Sequence, residues 1–205
     1  MPWVAQIAPP RVTDLVGRML ERRFNTPWTS GAGRYFDAVA AIILKRGRNL
    51  FEGQAPMDLE MLAGRSGADE GPWPFALIER SGNGGAGGGE PEWPGRFRID
   101  LGTAIRALLE DLQGGGDAAA LARRFHRTMA EAIVVAAARL AAEEETNLVA
   151  LGGGCFQNQM LLGMTVEGLE GKGLTPLIPH AVPANDGGIA YGQLAAAAWR
   201  LRATE

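Results

Sequence analysis

Thiol and imidazole are scarce in this chain: its 205 residues include one cysteine, Cys155, and two histidines, His126 and His180. One thiol forms neither an intramolecular disulfide nor a thiolate cage, and two imidazoles fall short of a self-sufficient histidine metal site. Charge of one sign is also lacking. The formal net charge is −3, and the dense basic clusters at residues 21–23 and 45–48 fall in helix ends and turns. That leaves no electrostatic footprint for nucleic acid. A long apolar run is missing as well, because the most hydrophobic stretch, residues 130–142, is interrupted by Glu131 and Arg139. It is too short and too polar to span a bilayer, and no signal peptide opens the chain, so the expectation is a soluble cytoplasmic protein. Several catalytic patterns are absent too. Gly152-Gly-Gly154 does not continue into a dinucleotide fingerprint, since the third glycine position is Gln157, and Lys172 lacks Walker spacing. Neither Ser30 nor Ser66 has the flanking glycines of a nucleophile elbow.

Glycine is what the chain does have, 29 residues of it, set among helical periodicities. Val12, Leu15, Val16, Met19 and Leu20 predict a helix over 11–24, with Pro9-Pro10 stopping anything helical before it. Thr29 or Ser30 is the expected N-cap of a second helix that carries Phe36, Val39, Ile42 and Ile43 and ends by Gly47. A third helix is expected over 56–63, with Pro56 in its first turn. Residues 74–78 and 96–100 read as strands on either side of a flexible surface loop, 82–96, where six glycines in eight positions leave little to offset ordering entropy. Helices over 103–112 and 118–144 follow. The last part alternates strand 147–152, helix 156–163, strand 174–178 and helix 187–202, the rhythm of a sheet covered by helices.

The two glycine turns of that last part carry the functional signal. Gly152-Gly-Gly-Cys-Phe-Gln-Asn158 and Ala184-Asn-Asp-Gly-Gly188 each join an apolar strand to a helix. Strand, glycines and helix is an arrangement that brings backbone N–H groups and a helix N-terminus up to a phosphate.

Five stretches occur in a fixed order: Thr29-Ser-Gly-Ala-Gly-Arg-Tyr-Phe-Asp-Ala-Val-Ala40, Phe51-Glu-Gly-Gln-Ala-Pro-Met-Asp-Leu-Glu-Met-Leu-Ala63, Ala122-Arg-Arg-Phe-His-Arg127, Val149-Ala-Leu-Gly-Gly-Gly-Cys-Phe-Gln-Asn158 and Val182-Pro-Ala-Asn-Asp-Gly-Gly-Ile-Ala-Tyr-Gly-Gln193. Together they resemble the C-terminal part of the hydrogenase-maturation carbamoyltransferases, the HypF family, from about residue 25 onward. The resemblance implies an α/β fold, one lobe of the actin-like, ribonuclease-H-like ATPase architecture, forming a single domain over 1–205. It also implies a carbamoyltransferase lobe that binds ATP or carbamoyl adenylate. The carbamoyl group then passes to the C-terminal cysteine of a HypE-type acceptor protein.

Carried over position by position, the resemblance implies nucleotide contacts from Asp37, Gly53, Glu60, Gly153, Gly154, Asn158 and Gly187. It implies that Asp186 ligates a divalent metal, iron or zinc, shared with an N-terminal lobe that is not recognisable here. A carboxylate beside phosphate is repelled unless a cation lies between them, which suits that role. Plainer readings stand beside these: Asp186 and Asn185 form an ordinary helix cap, Asp37 and Glu60 are solvated helix residues, His126 is structural, and Cys155 is a packing residue. Gly152 stands where the family commonly has serine, and Ala184 where it commonly has proline. The expectation is half of an active site, completed by the N-terminal lobe and the adenylating domain and inactive alone. A partner-docking lobe without chemistry and an O-carbamoyltransferase acting on a small-molecule hydroxyl are the alternatives.

Overall fold

The computed structural model describes residues 4–68, 70–79 and 95–202. The expected loop over 82–96 lies outside these residues except for its last two. The chain divides into two compact units, Met1–Thr128 and Met129–Glu205.

The first unit is mainly helical, with α1 (Val4–Ile7), α2 (Pro10–Glu21), α3 (Ala32–Ile43), α4 (Gln54–Ala63) and α5 (Gly102–Gln113). Its two strands, β1 (Ala76–Glu79) and β2 (Phe97–Asp100), pair antiparallel with Ala76 opposite Asp100 and Glu79 opposite Phe97. Helix α6 (Ala118–Glu143) begins in this unit. The core follows helical spacing: Phe36, Val39, Ala40 and Ile43 of α3 and Ala55, Leu59 and Ala63 of α4 are buried. Residues Leu121, Ala122 and Phe125 extend it from α6. Phe36 and Phe125 meet edge to face, with ring centroids 5.0 Å apart.

Three local expectations need correction here. A one-turn helix, α1, does precede Pro9-Pro10. The N-cap of α3 is Gly31, not Thr29 or Ser30. Thr29 Oγ1 instead accepts the Gly31 N–H at 3.2 Å, a local turn before the helix. At its other end α3 stops at Ile43, where Lys45 takes the left-handed conformation at φ 52°, so Gly47 is not the terminator.

A knot of polar contacts ties residues 70–74 to α5 and α6. Trp73 is buried, and its indole N–H donates to Asp111 Oδ2 at 2.8 Å. The same carboxylate oxygen pairs with Arg124 Nη1 at 3.0 Å, and Arg124 Nε donates to the Gly71 carbonyl at 2.9 Å. The Arg124 guanidinium lies over the Trp73 ring, 4.8 Å from its centroid. Thr128 Oγ1 accepts the Trp73 backbone N–H and donates to the Arg124 carbonyl, so the buried main chain is satisfied.

The second unit begins in the later turns of α6 and continues with β3 (Leu148–Ala150), a 3-10 turn (Gly154–Gln157), α7 (Gln159–Gly171), β4 (Thr175–Leu177), a second 3-10 turn (Asp186–Gly188) and α8 (Ile189–Arg202). Strands β3 and β4 pair in parallel, Leu148 opposite Thr175 and Ala150 opposite Leu177, so α7 is the crossover of a βαβ unit. Val134, Leu151 and Leu169 form its core, packed by Val149, Phe156, Leu162, Val166, Leu174 and Ile178.

Helix α7 is longer than the expected 156–163. Leu161, Thr165 and Leu169 keep one buried stripe running through Gly163 and Gly168. Gly168 has a reason to be glycine: a Cβ there would lie 2.7 Å from Val134 Cγ2. Helix α8 buries none of its residues, and Ile189, Tyr191, Leu194, Trp199 and Leu201 are all exposed. No helix of the described residues is long and apolar enough to cross a membrane.

Candidate functional site

The C-terminal ends of β3 and β4 open into the two glycine turns, the position where crevices form at the carboxyl ends of parallel strands. Leu151 N–H donates to the Leu177 carbonyl at 2.9 Å, one step beyond the paired residues, and the chain then turns through Gly152 and Gly153. Gly153 sits at φ 103°, ψ 154°, a conformation closed to side chains, and a Cβ on Gly152 or Gly153 would meet nothing within 4 Å. Glycine is needed there for the bend, and the space beside it is open.

The turn after β4 closes onto this bend. Gly153 N–H donates to the Ala184 carbonyl at 2.7 Å, and the nearest heavy atom to a Cβ built on Gly154 is Asn185 Cβ, 4.0 Å away. Segments some thirty residues apart in sequence therefore form one surface. Within the second turn, Asn185 Oδ1 accepts the Gly187 N–H at 3.0 Å and the Asn185 carbonyl accepts the Gly188 N–H at 2.9 Å. Asn185 is thus the capping side chain, and the carboxylate of its neighbour is left out of the cap. Asp186 is exposed and makes no side-chain hydrogen bond or ion pair among the described residues. Gly188 is sterically required, since a Cβ would fall 2.5 Å from the Pro183 carbonyl oxygen.

Asn158 caps α7, its Oδ1 accepting the Leu161 N–H at 2.8 Å. Beyond the turns a cavity of about 450 Å³ is lined by Leu151, Phe156, Gln157, Leu162, His180 and Ala184, among others.

In the first unit, Asp37 lies on α3, Gly53 is the left-handed residue (φ 79°) before α4, and Glu60 lies on α4. Arg34 Nη2 lies 2.7 Å from Asp37 Oδ2, an ion pair without hydrogen-bond alignment, so that buried oxygen receives no hydrogen bond. Arg123 Nε is likewise buried without a partner.

His126 is fully buried on α6. Its Nδ1–H donates to the Ala122 carbonyl at 2.8 Å, and its ring meets Phe36 edge to face with centroids 5.3 Å apart. Burial lowers its pKa from the usual 6.5; the Ala122 bond and the charge of Glu60 push the other way, and Arg123 adds to the lowering. The ring is a neutral packing element, which matches the structural reading of its sequence context. Of the helix cap expected from Asp186 and Asn185, the structure gives the capping hydrogen bond to Asn185 alone, and it gives Ala184 a role the sequence did not signal, its carbonyl accepting the Gly153 N–H.

Among the described residues no group of three or more His, Cys, Asp or Glu side chains could hold a metal ion. Asp186 by itself does not make a metal site. The open glycine bend, by contrast, suits close approach of a phosphate-bearing ligand.

Comparison with known proteins gives a consistent result. The family described as Carbamoyltransferase, Kae1-like Domain, second subdomain, matches residues 3–193. The chain is 37% identical over 187 residues to Carbamoyltransferase HypF2 of Cupriavidus necator, covering 88% of this chain and 23% of that protein. It is 35% identical over 197 residues to Carbamoyltransferase HypF of Rhodobacter capsulatus, covering 96% of this chain and 23% of the relative. The crystal structure of full-length HypF in the phosphate- and nucleotide-bound form superposes with a TM-score of 0.80 at 33% identity, over 94% of this chain and 23% of the other. The chain thus spans about a quarter of the length of these relatives.

Proposed function

This chain belongs to the HypF carbamoyltransferase family as the second subdomain of its Kae1-like domain, and from that membership we propose that it forms one wall of a nucleotide site serving carbamoyl transfer. The observation that carries this reading is the 2.7 Å bond from Gly153 N–H to the Ala184 carbonyl, which fuses two glycine turns into one surface. On that surface Gly153 and Gly154 give room for the phosphates of ATP or carbamoyl adenylate, Asn158 contributes beside them, and Gly187 keeps the second turn close. Taken by itself, the first unit holds the other proposed nucleotide contacts, Asp37, Gly53 and Glu60, the two carboxylates being able to accept hydrogen bonds from ribose hydroxyls.

The similar full-length HypF is described as phosphate- and nucleotide-bound, which supports a nucleotide ligand for the family's fold. Asp186, exposed and unpaired among the described residues, is free to meet a cation beside the phosphates. It supplies one ligand, and the rest of a divalent iron or zinc site comes from the other subdomain. The acceptor is the terminal cysteine of a HypE-type partner, in the cytoplasm.

The apolar surface left uncovered supports dependence on further domains. Leu15, Leu20 and Phe24 in and just after α2 are exposed, as are Leu194, Trp199 and Leu201 of α8. The isolated chain then binds nucleotide weakly and turns over nothing.

The test is isothermal titration of ATP against the wild-type chain and Asp186→Ala, each alone and each combined with the other family domains. The expected pattern is weak binding alone, tight binding on reconstitution, and loss of the gain in Asp186→Ala. Tight, metal-dependent binding by the chain alone refutes the half-site reading.

A further inference from the structure

We infer that Asn185 is a positioning residue for Asp186, setting where that carboxylate stands relative to the Gly152–Gly154 bend; this rests on the nucleotide-site reading above. Two constraints meet at this residue. On its N-terminal side, Ala184 is held by the 2.7 Å bond its carbonyl accepts from Gly153, and the Pro183 carbonyl lies so near Gly188 that a Cβ there would fall 2.5 Å from it. On its C-terminal side, its side-chain Oδ1 takes the Gly187 N–H at 3.0 Å and its carbonyl takes the Gly188 N–H at 2.9 Å.

Asp186 is the one residue of the turn enclosed by these bonds. Its own carboxylate makes no hydrogen bond or ion pair among the described residues, so its placement comes from the backbone around it. Asn185 backbone is extended (φ −92°, ψ −169°), and its Cβ lies 4.0 Å from where a Cβ on Gly154 would stand. A single side chain thus spans the contact between the two bends and the turn that presents the carboxylate. Removing the Oδ1 acceptor frees the Gly187 N–H and loosens Asp186 while leaving the Asp186 carboxylate itself in place. Serine at this position still offers an uncharged oxygen acceptor to the same amide.

The experiment compares Asn185→Ala, Asn185→Ser and Asp186→Ala in the chain reconstituted with the other family domains, with ATP as the probe. Amide exchange at Gly187 is read in parallel on the chain alone. The expected result is about tenfold weaker ATP binding in Asn185→Ala and recovery to within about threefold in Asn185→Ser, with Tm lowered in Asn185→Ala by no more than the few degrees that loss of one cap costs. The Gly187 amide should exchange faster in Asn185→Ala and regain protection in Asn185→Ser.

If Asp186→Ala loses binding while Asn185→Ala binds like wild type, the positioning role is overturned and the site reading stands. If Asp186→Ala binds like wild type, the site reading itself falls, and this inference with it. A loss in Asn185→Ser equal to that in Asn185→Ala, or a fall in Tm large enough to unfold the protein at the temperature of the titration, also overturns it, because then shape or stability and not the oxygen acceptor is responsible.

Discussion

Replacing Gly188 by alanine tests whether the turn at Asp186 is as tightly built as its geometry indicates. The added Cβ would stand 2.5 Å from the Pro183 carbonyl oxygen, and that oxygen belongs to the main chain, so no rotamer change relieves the overlap. Reaching ordinary contact requires about 0.9 Å of movement, and the segment that must move includes Ala184, whose carbonyl holds Gly153. Overpacking of this kind costs about 1–3 kcal/mol, and the stiffer unfolded chain of an alanine variant returns about 0.4–1 kcal/mol. The net loss of about 1–2 kcal/mol corresponds to a Tm lower by about 2–8 °C for a chain of this size. The internal control is Gly163→Ala. Gly163 lies in the interior of α7 with nothing within 4 Å of its would-be Cβ, so the same substitution should stabilise by about 0.5–1 kcal/mol through helix propensity. Both variants are melted side by side and followed by far-ultraviolet circular dichroism. A Gly188→Ala protein that melts at or above the wild-type temperature, or a Gly163→Ala protein that melts below it, refutes the steric argument.

His126 should make the chain acid-sensitive. Its folded pKa is lowered by burial, so the unfolded chain binds the extra proton first; stability from this residue is fully present above the unfolded pKa of about 6.5 and is lost as pH falls through and below it. Urea midpoints measured from pH 8 to pH 5 should fall in the wild type and fall less steeply in His126→Phe; equal slopes would refute the assignment. Arg124→Lys keeps a charge but loses the forked contacts to Asp111 and Gly71 and the stacking over Trp73. It should lower the urea midpoint by the equivalent of about 1–2 kcal/mol, and a midpoint within error of wild type would show that the knot around Trp73 is ornamental. Leu169→Ala in the core with Val134 and Leu151 should cost about 2–5 kcal/mol, read in the same titration.

Periodicity made much of the fold legible. The stripes of α3 and α5, the long α6 and the order of strand, helix, strand and helix at the end all follow from apolar spacing, because each element buries one face and the spacing of that face is its signature. Element ends were less legible: Gly47 was read as the stop of α3, which ends at Ile43, and the helix expected over 156–163 runs on to Gly171, since the stripe of Leu161, Thr165 and Leu169 outweighs the propensity cost of two glycines. The knot joining Gly71, Trp73, Asp111 and Arg124 had no sequence signature at all: its contacts span 13 to 53 residues, and only the folded chain brings them together.

The same lesson bears on the candidate site. Sequence alone suggested that glycine-turn amides face a phosphate, but three of those N–H groups are spent inside the protein: Gly153 on Ala184, Gly187 on the Asn185 side chain and Gly188 on the Asn185 carbonyl. The glycines therefore act here through what they lack. Gly188 allows the chain to fold back onto the Pro183 carbonyl, and Gly153 adopts a bend that no side chain permits. Open space, not a row of donors, is what they provide at the first bend. If a phosphate sits there, its charge must be met largely by groups other than these three amides, such as a cation near Asp186, basic residues of another domain, or the N-terminus of α7. On the proposed reading, this is a physical reason, independent of chain length, for part of the phosphate's neutralisation to come from beyond these two turns.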